Sequence, residues 1–381
     1  MKPCLITLTL LFGWAGLAAT PDSFLTRHQG VPGMPEPTVL NGDWSFRLAD
    51  SPKVADDYRW FFEEGYDASD WATIPVPSNW NMEGFEEPHY VDGTASEGFY
   101  VTRFEAPSEG DLRRRVLLHF GGSWMSTEAW LNGQRLGRHE SGFTGFSFDI
   151  SDEIRWGAEN RLAVRVRQQV QPNLFKFDAN DDWALAGIYR DVWIEYTPRL
   201  HVLADVVVET DFDSLYKDAD LSARVFIERW YRGAPFFDYS EPLHLEMTLK
   251  APDGRVVQEK RETVRIRGWH QGNDFELAMH VEDPRPWTAE TPNLYDLEIT
   301  LTTEGELVDR WVDRIGFREI STEGGIFRIN GQAVKLRGVA RHDQQPEVGR
   351  ATRHEHWLED ILLMKAANIN AVRTAHYPPH E

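Results

Sequence analysis

The chain has 381 residues, of which 41% are hydrophobic and 27% are charged, a mixture that excludes a wholly disordered chain and supplies enough apolar material for packed cores. Its 40 basic and 61 acidic side chains give a formal net charge of −21, and so acidic a surface repels phosphate backbones and anionic lipid. We therefore expect no nucleic-acid and no membrane partner, and about two to three domains from the length.

The N-terminal segment has the pattern of a secretory signal peptide. Lys2 supplies one positive charge, residues 5–14 are apolar, and Gly16-Leu17-Ala18 offers a small-x-small cleavage site. An N-terminal membrane anchor is the alternative, but the apolar run is short for the roughly 20 residues of a bilayer span. The only cysteine, Cys4, would leave with residues 1–18, followed by a leader over residues 19–37. The sequence thus predicts an exported protein, periplasmic or extracellular, without disulfides.

Two consecutive stretches show short apolar-alternating runs separated by turn residues. The first covers residues 38–197 and contains Asn132-Gly133, a strong two-residue hairpin signal. The second covers residues 198–320 and contains another hairpin signal, Asp253-Gly254. Six or seven short strands in about 120 residues favour an immunoglobulin-like sandwich for the second stretch. Both stretches are therefore predicted to be β-sandwiches.

The periodicity changes over residues 321–381. Residues 333–340 predict a strand, and Thr352 and Glu355 have the spacing of a helix capping box. Behind that box, an apolar stripe at helical spacing consists of Trp357, Leu358, Ile361, Leu362 and Met364. Asn368 is suited to end the helix in a left-handed conformation, and residues 369–374 form a second strand. A strand–helix–strand unit requires a parallel sheet, and one such unit cannot close a barrel.

Polar side chains follow both strands of this unit. His342 and Asp343 follow the first strand, while Arg373 and His376 lie at the end of the second. Functional side chains of parallel α/β folds gather at the carboxyl ends of strands, so these residues are expected at one edge of the sheet. The alternative is that such histidines merely cap loops. Asp343 could likewise assist His342 in acid–base chemistry, or it could make a structural loop contact, which we favour.

Several segments together resemble the β-galactosidase and β-glucuronidase family of glycoside hydrolases. In the last 60 residues they are residues 327–331, 335–343 and 368–378. Earlier matches are residues 40–44, 76–80 and 187–192 in the first stretch, and 286–287, 292–295 and 314–318 in the second. The resemblance implies a mainly β fold: a sugar-binding jelly-roll β-sandwich, an immunoglobulin-like β-sandwich, and an incomplete (β/α)8 barrel start over residues 321–381.

The resemblance also implies roles for particular residues. His342 and His376 would hydrogen-bond the terminal sugar, Arg373 would support the floor of that pocket, and Asp181 would bind the sugar and a nearby sodium ion. A carboxylate can accept two sugar hydroxyls at once, while a solvated turn is the alternative reading of Asp181. Two departures weaken any preference for galactose. Asp92 stands where the family often has an Asn that touches the sugar, and Gln344-Gln345 replaces a common His-His pair.

No catalytic residue can be assigned in this chain, and no metal ligand beyond the sodium contact that the resemblance implies for Asp181. Retaining glycosidases use two carboxylates about 5 Å apart, and in this family both lie on later barrel strands, as do the magnesium ligands. The leading expectation is therefore the N-terminal part of an exported β-glycosidase, truncated before its catalytic carboxylates and inactive alone. A carbohydrate substrate is the expected partner, and a homo-oligomer is compatible with the full-length family. The alternatives are a non-catalytic carbohydrate-binding protein and a barrel completed by a separate chain.

Overall fold

A computed structural model of the chain describes residues 31–90, 93–108, 114–168, 182–198, 202–228, 242–266 and 273–380. The proposed signal peptide lies outside these ranges, so export stays a prediction. Within them, no helix combines the length and the apolar character that crossing a bilayer requires.

The first part of the chain is a β-sandwich. Its strands are β1 (Thr38–Val39), β2 (Gly42–Ala49), β3 (Ala72–Val76), β4 (Glu97–Glu105), β5 (Arg114–Phe120), β6 (Ser123–Trp124), β7 (Ser126–Leu131), β8 (Gln134–Glu140), β9 (Phe146–Asp149), β10 (Glu159–Arg167), β11 (Gly187–Ile188) and β12 (Val192–Pro198). They form a four-stranded sheet, β1-β12-β5-β9, a six-stranded sheet, β3-β2-β4-β10-β7-β8, and a ribbon of β11 with β6. All the strand pairs of these three sheets are antiparallel.

Alternation along each strand produces the core between the two larger sheets. In β10, the buried side chains Leu162, Val164 and Val166 point to one face, while Arg161 and Arg165 point to the other. The predicted Asn132-Gly133 hairpin is confirmed between β7 and β8, because both residues adopt positive φ angles of 50° and 80°.

The outer face of the six-stranded sheet is partly covered by residues 52–71. This segment contains α1 (Pro52–Ala55) and a 3-10 turn (Asp56–Tyr58). Phe61 packs edge-on against Phe99 and Trp130, with ring centroids 5.0 and 5.4 Å apart. A second, smaller aromatic cluster therefore lies on the outside of the jelly roll.

The second β-sandwich contains β13 (Val202–Phe212), β14 (Ala219–Glu228), β15 (Leu243–Lys250), β16 (Val256–Val264), β17 (Asn273–Val281), β18 (Tyr295–Thr303) and β19 (Glu306–Ile315). The sheets are β13-β14-β17 and β16-β15-β18-β19. Their inward side chains form one buried cluster, for example Leu243, Leu245 and Leu249 of β15. The three-plus-four antiparallel arrangement is that of an immunoglobulin-like domain, as predicted.

The last part of the chain forms a hairpin sheet and one βαβ unit. The hairpin sheet contains β20 (Ile320–Ser321), β21 (Arg328–Ile329) and β22 (Gln332–Ala333). The unit contains β23 (Gly338–Arg341), α2 (His354–Ala366) and β24 (Ala371–Thr374), with β23 and β24 parallel. The predicted strand over residues 333–340 was thus wrong in its first half. Gln332–Ala333 forms an antiparallel pair with the preceding strand β21, and the barrel strand begins only at Gly338.

The start of α2 also differs from the prediction. Thr352 does not cap the helix, because its hydroxyl donates to Asp343 at 2.9 Å. The N-cap is Arg353, whose backbone amide donates to His356 Nδ1 at 3.0 Å, so the predicted Thr352–Glu355 capping box was wrong. The other end agrees with the sequence, since Asn368 takes a positive φ of 58° just after the helix.

Gly98 offers a direct test of core packing in the first sandwich. A Cβ added there would lie 2.6 Å from the Trp80 ring and 2.9 Å from the Phe46 ring. We expect Gly98→Ala to lower the free energy of unfolding by about 1–3 kcal/mol, because both rings are fully buried and cannot give way. Gly65→Ala is the matched control, since its added Cβ meets nothing within 4 Å. Equal denaturant midpoints for the two variants would contradict the packing described here.

Candidate functional site at the junction of jelly roll and barrel

The two histidines that follow the parallel strands lie next to each other. The ring centroids of His342 and His376 are 5.3 Å apart and the rings are nearly perpendicular. Both side chains are exposed, as expected of groups that meet a ligand. The prediction that they share one edge of the sheet is confirmed. The side chain of Arg373, within β24, is exposed and makes no hydrogen bond with any described residue, so its supporting role stays a prediction.

Asp343 is a structural centre of this edge. Its buried carboxylate accepts hydrogen bonds from Arg341 Nη1 at 3.0 Å, Thr352 Oγ1 at 2.9 Å and Trp357 Nε1 at 3.1 Å. Its backbone amide donates to the Tyr377 hydroxyl at 3.1 Å. These contacts favour the loop-contact interpretation of Asp343 over acid–base chemistry, because the carboxylate is committed to neighbouring side chains.

Arg350 joins this edge to the jelly roll. Its side chain is fully buried, and Nη2 donates to Asp182 Oδ2 at 3.0 Å and to the Trp183 carbonyl at 2.6 Å. Its backbone amide donates to Asn79 Oδ1 at 2.8 Å. Asn79 in turn donates to the Leu185 carbonyl at 3.1 Å. A loop that follows β23 is therefore bonded to two separate loops of the first sandwich.

Three aromatic rings enclose the same guanidinium group. Its carbon lies 4.3 Å from the ring centroid of Trp124, 4.9 Å from Phe143 and 5.6 Å from Tyr377. Phe143 of the jelly roll stacks on Tyr377 with parallel rings 4.0 Å apart. Burial raises the pKa of Tyr377 to about 12, so its hydroxyl stays protonated at neutral pH. Cation–π contact and stacking thus replace water around Arg350.

Asp182 completes this junction. Its Oδ1 accepts from Gln344 Nε2 at 2.6 Å and from the Trp183 backbone amide at 2.8 Å, while Oδ2 accepts from Arg350. Both oxygens are therefore engaged by protein donors, and Asp182 does not fit a sodium ligand. Asp181 and Asp92, the carboxylates that the resemblance places at the sugar, lie outside the described residues, and their roles stay predictions.

A pocket of about 450 Å³ opens beside the junction. Trp183 is 44% exposed in its wall, and its ring lies 5.5 Å from that of Tyr90, which is 53% exposed. The remaining lining residues are Met82, Pro88, Leu185, Gln344, Gln345, Pro346 and Gly349. Exposed aromatic faces beside amide side chains can stack on and hydrogen-bond a sugar ring.

Comparison with known protein families agrees with this arrangement. The sugar-binding domain model of glycosyl hydrolases family 2 matches residues 38–198. A second model, described as glycosyl hydrolases family 2, matches residues 200–318. The TIM barrel domain model of the same family matches residues 320–381. The chain belongs to glycosyl hydrolase family 2.

Curated relatives in the family include β-galactosidases. One from Vibrio vulnificus strain CMCP6 is 32% identical over 358 residues, which cover 90% of this chain and 33% of the relative. One from Kluyveromyces lactis is 31% identical over 365 residues, covering 90% of this chain and 35% of the relative. The chain thus spans about a third of the length of the curated relatives it matches.

Solved structures of the family share the fold. A β-glucuronidase from Bacteroides uniformis superposes with a TM-score of 0.73 at 28% identity, covering 90% of this chain and 40% of that one. A family 2 member from Bacteroides cellulosilyticus gives a TM-score of 0.75 at 24% identity, covering 90% and 43% respectively. The second similarity concerns the fold alone.

Sequence reasoning missed three residues that join the barrel start to the jelly roll: Arg350, Asp182 and Asn79. Arg350 stands in a polar loop with no periodic neighbours, where a lone arginine is normally solvated. Asp182 adjoins Asp181 and could not be distinguished from it by residue type. Asn79 belongs to a segment that carries the family resemblance, and that segment was the one available signal that its loop is constrained.

The junction can be tested by removing its cation. Arg350→Met keeps most of the side-chain volume but leaves the Asp182 carboxylate buried without its counter-charge. We expect the free energy of unfolding to fall by about 3–5 kcal/mol, measured by urea titration of circular dichroism. Arg47→Met is the control, because Arg47 forms a surface ion pair with Asp70, worth less than about 1 kcal/mol. A loss at Arg350 no larger than at Arg47 would contradict the described role.

Proposed function

We propose that this chain forms the N-terminal part of an exported β-glycosidase, most like a β-galactosidase, that hydrolyses terminal β-linked sugars with retention of configuration. The observation that carries the proposal is the pair of adjacent, exposed histidines at the end of β23 and β24. The β-galactosidase relatives and the β-glucuronidase structure support the class of reaction. Export rests on the signal-peptide pattern of residues 1–18.

In this proposal the residues of the chain bind and orient the terminal sugar. His342 and His376 hydrogen-bond sugar hydroxyls through their ring nitrogens, and Asp181 accepts two hydroxyls from the jelly-roll side. The Arg350 junction holds these two sides at a fixed separation, because Asp182 and Trp183 follow Asp181 directly. Positioning of this kind lowers the barrier by fixing the sugar in a reactive geometry.

The two carboxylates of the retaining mechanism come, in this proposal, from further barrel strands. One protonates the leaving oxygen and the other attacks the anomeric carbon, at a separation of about 5 Å. The outer surface of α2 supports further barrel units: Leu358, Ile361, Leu362 and Leu363 are 46–62% exposed. Such an apolar surface normally packs against another element. In this proposal those units are encoded downstream, in frame or after one frame shift, or they come from a separate chain.

Hydrolysis assays test this proposal directly. The 381-residue chain should release no nitrophenol from nitrophenyl β-galactoside, β-glucuronide or β-mannoside, because it lacks both carboxylates. A chain extended through the downstream DNA, in frame or after one frame shift, should hydrolyse one of them. Turnover by the 381-residue chain, or none by an extended chain with an Asn-Glu pair and a later Glu, would refute it.

The histidines should matter in the extended enzyme. His376→Ala is expected to lower kcat/KM about tenfold to a hundredfold, because a sugar hydroxyl loses its hydrogen-bond partner. His280→Ala is the matched control, since His280 is exposed on β17 of the second sandwich, outside the βαβ unit. An unchanged kcat/KM for His376→Ala would remove His376 from the binding site.

A second candidate is carbohydrate binding without hydrolysis. The exposed Tyr90–Trp183 pair beside the 450 Å³ pocket favours it, because aromatic faces bind sugars without any catalytic group. Calorimetric titration with galactosides, glucuronides and mannosides would decide between the two. Binding by the 381-residue chain that is lost in Asp181→Ala, without hydrolysis by the extended chain, would support the second candidate, and no binding in either protein would exclude it.

A further inference from the structure

A second buried arginine of the jelly roll contacts the segment that carries His376. Arg190 lies between β11 and β12 and is 5% exposed. Its Nη1 donates to the Phe143 carbonyl at 2.8 Å, and its Nη2 donates to the Pro378 carbonyl at 3.0 Å. Phe143 belongs to the jelly roll, whereas Pro378 lies two residues after His376. One guanidinium group therefore bonds the jelly roll and the histidine segment together.

The acceptors of Arg190 are backbone carbonyls. Besides Phe143 and Pro378, Nη1 reaches the Gly121 carbonyl at 3.4 Å, and these are the three hydrogen bonds of the side chain to described residues. A buried guanidinium group bonded to neutral carbonyls gains no ionic attraction to offset its desolvation. What distinguishes arginine at this position is its planar fork of donors, which reaches two chain segments at once.

Two glycines make room for the stem of this side chain. A Cβ added at Gly121 would lie 3.0 Å from Arg190 Cβ, and one added at Gly122 would lie 3.0 Å from Arg190 Cδ. The Gly122 carbonyl also accepts from the Arg190 backbone amide at 3.2 Å. Because the stem is closely packed, the guanidinium group has a fixed place from which it holds its carbonyl partners.

The backbone is held on both sides of His376. Before it, the Ala375 amide donates to the Arg341 carbonyl at 2.9 Å, a contact within the βαβ unit. After it, the Pro378 carbonyl accepts from Arg190 of the jelly roll. The His376 side chain itself is exposed, so its direction depends on these backbone contacts more than on packing around the ring.

The aromatic stack beside His376 depends on the same guanidinium group. Tyr377, which directly follows His376, stacks on Phe143 with ring centroids 4.0 Å apart. Arg190 bonds the carbonyl of Phe143 on one side of this stack and the carbonyl of Pro378 on the other. Removal of the guanidinium group would free both carbonyls and loosen the segment on which His376 stands.

We propose that Arg190 is a positioning residue for the terminal sugar and acts through His376. Its fork fixes the direction of the His376 ring relative to His342, whose ring centroid lies 5.3 Å away. The role rests on the proposed function, in which His376 hydrogen-bonds a sugar hydroxyl. A ring that points elsewhere loses most of that bond, since hydrogen bonds weaken steeply away from their preferred angle.

Nuclear magnetic resonance of the 381-residue chain tests the geometry without any assay of hydrolysis. With isotope-labelled histidine, Overhauser effects should connect the rings of His342 and His376. Arg190→Met should weaken these effects and shift the His376 ring resonances. Arg161→Met is the matched control, because Arg161 is 4% exposed and donates to the Phe61 carbonyl at 2.7 Å, on the outer face of the six-stranded sheet. Unchanged His376 signals in Arg190→Met, or equal changes in Arg161→Met, would overturn the proposal.

Kinetics of the extended enzyme supply a second readout. Arg190→Met should lower kcat/KM about threefold to thirtyfold, because the ring that binds the sugar is no longer oriented. In the His376→Ala background, the same substitution should change kcat/KM by less than about twofold, since no ring remains to be oriented. A merely structural role predicts the same fold-loss in both backgrounds, and that result would overturn the proposal.

Arg190→Lys is the second variant should Arg190→Met fail to fold. Lysine keeps the cation but replaces the planar fork by an ammonium group, so the Phe143 and Pro378 carbonyls are no longer held in the same geometry. It should weaken the His342–His376 Overhauser effects, and wild-type effects in this variant would overturn the proposal. Absence of hydrolysis by every extended chain would refute the proposed function, while the histidine-ring measurement would still decide the role of Arg190.

Discussion

The arrangement of the candidate site depends on one buried cation. Among the described residues, Arg350 has one carboxylate partner, Asp182, and its guanidinium group lies against the rings of Trp124, Phe143 and Tyr377. Both charged side chains are buried, so the ionic attraction and the cation–π contacts act at low dielectric. Desolvation of both charges offsets much of that gain, and the net effect is specificity of position more than stability. The Arg350 contacts thus define one register of the barrel start on the jelly roll.

That register determines which polar groups can act together. Tyr377 touches the cage with its ring and the Asp343 amide with its hydroxyl, so the strand ends that carry His342 and His376 are tied to the same point. Gln344 reaches across to Asp182 from the other side. This contact explains one of the two residues that depart from the family's His-His pair, Gln344, but not Gln345. An amide at position 344 donates to a buried carboxylate without adding a charge.

Much of the fold could be predicted because it follows local rules. Period-two alternation gave both sandwiches, and Asn132-Gly133 fixed a hairpin through its positive φ angles. The predictions failed where residues distant in sequence compete for the same side chain as a hydrogen-bond partner. Thr352 has the residue type of an N-cap, yet Asp343 takes its hydroxyl, and the cap moves to Arg353. Arg350 and Arg161 look like ordinary surface arginines in sequence, since burial comes from segments far away in the chain. Spacing alone cannot show this.

The order of the junction partners along the chain has a consequence for biosynthesis. Among the described partners of Arg350, Asn79, Trp124, Phe143 and Asp182 precede it in the chain, and Tyr377 follows it. During translation, the jelly-roll residues that contact Arg350 are therefore synthesised before Arg350 itself. N-terminal domains generally fold first during synthesis. The finished jelly roll can then act as a template on which the first parallel strands of the barrel assemble, so that nascent barrel strands have a defined partner as soon as they emerge.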